Sequence, residues 1–184
     1  MGYLVEIVDY NPAWPALFME EAEKIRQVLG RELVAIYHMG STSVPGIKAK
    51  PIIDILVEVQ DIQKIDRLNE ELATLGYEAK GEYGIPGRRF FIKNQGEFRT
   101  HHLHAFQSGH PEIERVLTFR DYLCAHPVEA RAYGQLKEAL AQQYPRDRES
   151  YTEGKTDFIR ELDRKARDWK LEHHPDRHEG SLAG

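Results

Sequence analysis

Asp54 is an acid set inside an apolar, β-branched run, IIDILVEV (52–59). A carboxylate in such a strand costs several kcal/mol unless it is paired, hydrogen-bonded or holding a cation. Shortly before it, Gly40, Ser41, Thr42 and Ser43 follow one another where another apolar run (33–37) ends. Small residues in a row let backbone N–H groups and hydroxyls approach a phosphate closely. Two uses for Asp54 follow from that proximity: it serves a ligand beside the loop, or it caps the loop's own N–H groups. Further on, His102 and His104 stand two apart and so share one face of a strand. If that strand neighbours 52–59, two imidazoles and a carboxylate meet. Such a set suits Zn²⁺, Mn²⁺ or Fe²⁺ better than Mg²⁺, which prefers oxygen. Equally, the two imidazoles could donate to a ligand's phosphates or simply pair with Asp54.

Cations are the second group. Arg88 and Arg89 follow the turn Gly84-Ile85-Pro86-Gly87, and the guanidinium fork suits bidentate binding of phosphate or carboxylate. Adjacent strand residues face opposite ways, so only one of the two can face the loop. Lys93, Arg99 and His101 extend this basic stretch, with His101 expected on the face away from His102. Lys50, between the loop and the acid strand, counts as a further phosphate-side cation. Lys155 is expected one turn into a helix, where a cation opposes the helix dipole unless an anion is near. His38, directly before the loop, could donate to an anion or be satisfied within its sheet.

The elements that must position these residues read as follows. Residues 5–8 form a short edge strand, and Asn11 caps a helix over 12–29 with Pro12 at its first position. The strand 33–37, the loop and the strand 52–59 come next. Asp61 caps a helix over 61–75 that Gly76 stops. Runs 77–83, 88–93 and 98–106, separated by turn residues, predict an antiparallel meander. Helices follow over 112–125, 127–144 and 151–171, with Cys124 a buried thiol in the first. The expected architecture is one α+β domain over 1–171, a mixed or antiparallel sheet with flanking helices and a helical C-terminal region. The polar stretch 172–184 is expected to lack regular structure.

A chain of 184 residues, 41% hydrophobic and 30% charged, can bury one sizeable core. One cysteine excludes an internal disulfide. No apolar run approaches the ~20 residues of a membrane span, and no secretory leader pattern opens the chain. Those features predict a cytoplasmic protein. A net charge of −5 argues against a general nucleic-acid binder, and the local cations favour a small anionic ligand.

The motifs HMGSTSVPGIKAKPIIDI, GYEAKGEYGIPGRRFF, RTHHLHAF, LTFRDYLCAHP and YTEGKTDFI, in this order, resemble the GrpB family (UPF0157). A Gly-Ser loop followed by an acid strand is similar to the signature of the nucleotidyltransferase superfamily. The resemblance implies a nucleotidyltransferase-like fold. It also implies a phosphate site at Gly40, Ser41, Thr42 and Ser43, and a metal held by Asp54 with His102 and His104 assisting. Active members of that superfamily carry a second acid two residues after the first, and a third acid from a neighbouring strand. This chain has Leu56 at the second position and histidines on the third strand. Two readings follow. The first is an enzyme transferring a nucleotidyl group to or from a phosphorylated small molecule with Mg²⁺, Mn²⁺ or Zn²⁺. The second is a non-catalytic nucleotide-binding or accessory domain serving a partner such as a CoA-pathway enzyme, since the family also occurs fused to dephospho-CoA kinase.

Overall fold

The computed structural model describes residues 4–173. Five strands form one sheet in the order β1-β2-β5-β4-β3. They are β1 (Leu33–Met39), β2 (Ile53–Val59), β3 (Tyr77–Ala79), β4 (Arg89–Gln95) and β5 (Phe98–Gln107). β1 pairs antiparallel with β2, and β3, β4 and β5 form the expected antiparallel meander. The central pair, β2 and β5, is parallel, which makes the sheet mixed. Its register sets Asp54 opposite His102 and Leu56 opposite His104. The two candidate chemical strands are therefore neighbours.

Period-two alternation in β2 divides the molecule. Ile53, Ile55, Val57 and Val59 face one side with Phe91, Leu103 and Ala105, and bury against Ile25 and Leu29 of α1 (Trp14–Leu29) and Ile65 and Leu72 of α2 (Ile62–Ile65) and α3 (Asn69–Thr74). On the other side Leu56 and Phe106 pack on Ile113 of α4 (Pro111–Ala125). α4, α5 (Pro127–Gln143) and α6 (Arg148–His173) share a further core built on Tyr122, Leu123, Tyr133 and Leu162. Val44 and Ile47 of the segment after the small-residue loop reach into that core, so the loop is clamped between sheet and helices.

Several expected boundaries move. α1 begins at Trp14 rather than Pro12, and the Asn11 side chain accepts from the N–H of Ala13 at 2.9 Å. Residues 5–8 contribute a single bridge, Val8 to Ala49, instead of a strand. The helix expected over 61–75 is broken by a 3₁₀ turn, Asp66–Leu68, although Asp61 does cap its start by accepting from Gln63. Only the first three residues of the run expected over 77–83 pair as a strand. α6 starts at Arg148, where Asp147 accepts from the backbone and hydroxyl of Ser150, so Lys155 lies two turns in. It also continues to His173, and the rest of the stretch expected to lack structure, 174–184, lies outside the described residues. Cys124 is exposed, not buried, with its Sγ 4.0 Å from the carbonyl of Ser43. Among the described residues no helix is long and apolar enough to cross a membrane.

Candidate functional site

Asp54 emerges on the α4 side of the sheet near the start of β2, with its side chain about 26% exposed. Gly40 lies directly against it. Its φ of 73° is a left-handed value, and a Cβ there would stand 2.7 Å from Asp54 Oδ2. Glycine is thus required twice over, by dihedral and by contact. The rest of the loop consumes its own hydroxyls. Ser43 Oγ donates to the carbonyl of Gly40, while Thr42, 1% exposed, bonds His38 at 2.9 Å and the carbonyl of Ile52. Ser41 instead bonds across to α5, its Oγ accepting from Lys137 Nζ at 2.7 Å.

His102 Nδ1 and His104 Nε2 lie 3.4 and 3.2 Å from the same oxygen, Asp54 Oδ1. Burial raises the Asp54 carboxyl pKa, but hydrogen bonds from the two imidazoles, and their charge when protonated, outweigh it and hold the acid well below its ordinary value. By distance the trio could hold a metal ion, since one ligand atom from each lies within 4.8 Å of the others. The surroundings of the rings point another way. Arg88 NH1 approaches His104 Nδ1 at 3.3 Å, and a guanidinium can only donate. Nδ1 is therefore the acceptor, the ring proton sits on Nε2, and Nε2 donates to Asp54. A metal-ligating histidine has the reverse pattern, with its outer N–H given to an acceptor. Among the described residues His102 Nε2 is buried without a hydrogen-bond partner, so it too lacks that acceptor.

Helices α5 and α6 supply the opposite wall. Lys137 is 3% exposed, with its ammonium 4.5 Å from the Tyr133 ring centroid. Burial, then repulsion from Lys155 and Lys50, brings its pKa down to about 7 against the pull of Asp54. Lys155 falls to about 8, through burial and then repulsion from Lys50. Lys50 and Lys155 lie at 4.6 and 4.7 Å from the centroid of one ring, Tyr151. With Arg99 and Arg148 these groups enclose a cleft of about 260 Å³, floored by Gly40, Ser41, Asp54 and His102.

The structure brings together Gly40, Ser41, Thr42, Lys50, Asp54, His102 and Lys155 of the residues expected to act. It separates others. Arg88, 7% exposed, binds the carbonyls of Glu82 and Tyr83 and reaches the site only through His104. Arg89 leaves altogether for a two-point pair with Asp66. Lys93 and His101 face α1 and surround Glu21, a buried acid that also accepts from Tyr77. His38 is a sheet histidine stacked on Phe18 at 4.8 Å, and burial lowers its pKa to about 4. Sequence reasoning missed Lys137, Tyr133 and Arg148. A signal for Lys137 exists: it interrupts the buried stripe Ala130, Tyr133, Gly134, Leu140 and Ala141 of α5.

Comparison with known proteins agrees with this architecture. The UPF0157 protein YqkA of Bacillus subtilis is 48% identical over 90% of this chain and 48% of its own length. The UPF0157 protein PA4798 of Pseudomonas aeruginosa is 44% identical over 84% of this chain and 64% of its own. The chain thus spans about half to two thirds of these relatives. It is 25% identical to a dephospho-CoA kinase of Mycolicibacterium paratuberculosis, over 90% of this chain and 46% of that protein. The crystal structure of the conserved protein GrpB from Enterococcus faecalis superposes with a TM-score of 0.85 at 42% identity, covering 89% of this chain and 99% of the other. The family model described as GrpB protein matches residues 4–165, and the chain belongs to the GrpB family.

Proposed function

We propose that the cleft binds the phosphate of a phosphorylated small molecule, nucleotides included, through its cations and without a metal ion. One observation carries this reading. Lys137 is an almost fully buried ammonium whose hydrogen bond goes to a hydroxyl, and among the described residues no carboxylate pairs with it. A buried charge without a counter-ion is expensive, and two more ammonium groups beside it raise the cost further. A phosphate in the cleft would supply the missing negative charge, with Ser41, Lys137, Lys155 and Lys50 around it. Asp54 would then be the partner of His102 and His104 and not a metal ligand, consistent with the proton placement that Arg88 imposes on His104.

A second reading, metal-dependent transfer of a nucleotidyl group, draws on the spacing of Asp54, His102 and His104. The partial match to dephospho-CoA kinases supports a third, an accessory phosphate-binding domain alongside a CoA-pathway enzyme.

Calorimetric titration separates these. Tripolyphosphate, nucleoside triphosphates and CoA precursors are titrated into wild type, Lys137→Met and Asp54→Asn, with and without Mn²⁺ or Zn²⁺. The expected result is metal-independent binding that weakens about 10- to 100-fold in Lys137→Met, the worth of one charge-assisted hydrogen bond. Asp54→Asn should bind as well as wild type or better, because a negative charge near the phosphate is gone. Binding that needs metal and disappears in Asp54→Asn transfers the case to the second reading. Failure of every phosphorylated compound at millimolar concentration overturns the phosphate site itself.

A further inference from the structure

The contact between Ser41 and Lys137 has the geometry of a proton path. Its 2.7 Å length lies within the reach over which a hydroxyl and an amine exchange a proton. With Lys137 charged, Nζ donates to Oγ; with Lys137 neutral, the serine O–H donates to the amine. Burial, and then the cations Lys155 and Lys50, favour the neutral form. The two groups are also placed unequally. Lys137 is almost fully buried, whereas Ser41 is half-buried in the lining of the cleft, so an entering molecule meets the hydroxyl first. Tyr133, one turn before Lys137 on α5, bonds Ser41 through its own hydroxyl. Burial keeps that phenol protonated, with its pKa pushed up to about 12. A phenol that donates to Oγ leaves the serine proton directed at Lys137. Thr42 and Ser43 do not compete, since their hydroxyls go to His38 and to backbone carbonyls. A hydroxyl held by a buried amine is the arrangement of an activated nucleophile.

Resting on the phosphate reading above, we infer that Ser41 is a covalent phosphoryl acceptor, with Lys137 as its general base and a small acyl phosphate as the class of donor. In the step, Ser41 Oγ forms a bond to phosphorus while the bond from phosphorus to the acyl oxygen breaks. The serine proton passes to Lys137 Nζ. The acyl group departs as a carboxylate, a leaving group that needs no proton and so suits a site whose base has just taken one. The product is a phosphoserine beside the Lys137 ammonium, with Lys155 and Lys50 on the same wall. It brings negative charge to a buried ammonium whose hydrogen bond in the free chain goes only to a hydroxyl. The cleft, at about 260 Å³, is smaller than the pockets that enclose drug-sized ligands, which favours a small donor.

The test incubates the full chain with acetyl phosphate and no added metal, quenches in acid at times from milliseconds to hours, and maps the modified peptide by mass. Acetyl phosphate offers two electrophilic atoms: attack at phosphorus adds a phosphoryl group, attack at carbon an acetyl group. The expected result is phosphoserine at Ser41, absent in Ser41→Ala. Lys137→Arg keeps the charge and removes the base, so it should still bind tripolyphosphate in calorimetry while Ser41 is modified at least about 100-fold more slowly. Should the larger arginine fail to fold, which circular dichroism checks, Lys137→Met replaces it. Its rate is then compared at acetyl phosphate concentrations that saturate the cleft, where lost affinity no longer counts. Modification of either variant at the wild-type rate refutes the base. Acetylserine in place of phosphoserine refutes phosphoryl acceptance and makes the dyad an acyl-transfer site. No modification of Ser41 in a chain that binds tripolyphosphate refutes the nucleophile and leaves the phosphate site standing. If tripolyphosphate does not bind either, the phosphate reading falls first and this one with it.

Discussion

Lys137 makes the cleft sensitive to pH near neutrality. Its pKa of about 7 in the free protein must rise when an anion arrives, so above pH 7 binding requires uptake of a proton. Affinity for tripolyphosphate should fall about tenfold between pH 6.5 and 8.5, with Lys155, at about 8, adding to the upper half of that range. Calorimetry in buffers of differing ionisation enthalpy would register the proton directly, and Lys137→Arg, charged throughout, should flatten the profile. The same depressed pKa means that the ligand-free chain binds fewer protons than the unfolded chain between about pH 7 and 10.5. The contribution of Lys137 to stability therefore grows as pH rises through that window. The two arginines should part company. Arg89→Ala removes a pair with an exposed acid and should cost below about 1 kcal/mol. Arg88→Ala strands two carbonyls and unlocks His104, with about 2–3 kcal/mol lost in urea denaturation.

Between elements, the loop meets the strand at Gly40. Gly40→Ala combines an unfavourable dihedral, about 1–2 kcal/mol, with a Cβ driven into Asp54. Gly46→Ala is the control, since φ is 82° there too but none of the described residues lies within 4 Å of the new Cβ. Gly40→Ala should cost at least about 1 kcal/mol more than Gly46→Ala in denaturant titration, and equal losses would mean that Asp54 yields without effort. At this scale the sequence was partly readable. Alternation in β2 and the HxH spacing in β5 show which residues share a face of each strand, because a period of two is local and survives any topology. The cations of the helical wall were not readable in the same way. Lys137 and Tyr133 occupy positions that a helical period assigns to core, and only docking of α5 on the loop turns that stripe into a cleft wall. Arg89 misleads for the opposite reason. Its attraction to Asp66 spans 23 residues, and no strand pattern foretells which acid a long side chain will reach.

Across the whole molecule, negative net charge coexists with a positive interior cleft. Fields outside the cleft are screened within about 8 Å at physiological salt, so raising salt from 50 to 500 mM should weaken anion binding steadily. Thermal stability offers a complementary reading. Ligand at a hundred times Kd adds about 2.7 kcal/mol, roughly 5–10 °C in Tm for a chain of this size. The class of the fold follows from the order of strand-like and helix-like runs. The pairing that builds the site does not, because nothing local in either strand specifies a parallel neighbour.

That parallel pairing governs when the site can exist. Asp54 and His102 are 48 residues apart in the sequence, and a parallel ladder has no hairpin to start it. The β4–β5 hairpin and the C-terminal helices can form from local contacts, whereas joining β2 to β5 needs a large loop to close first. The carboxylate should therefore meet its imidazoles late in folding, and the lysines should crowd together only after the sheet is complete. Amide protons of Leu103 and Ile55 should exchange only through global opening, so the chemistry of this protein is a property of the finished fold and of no smaller part of it.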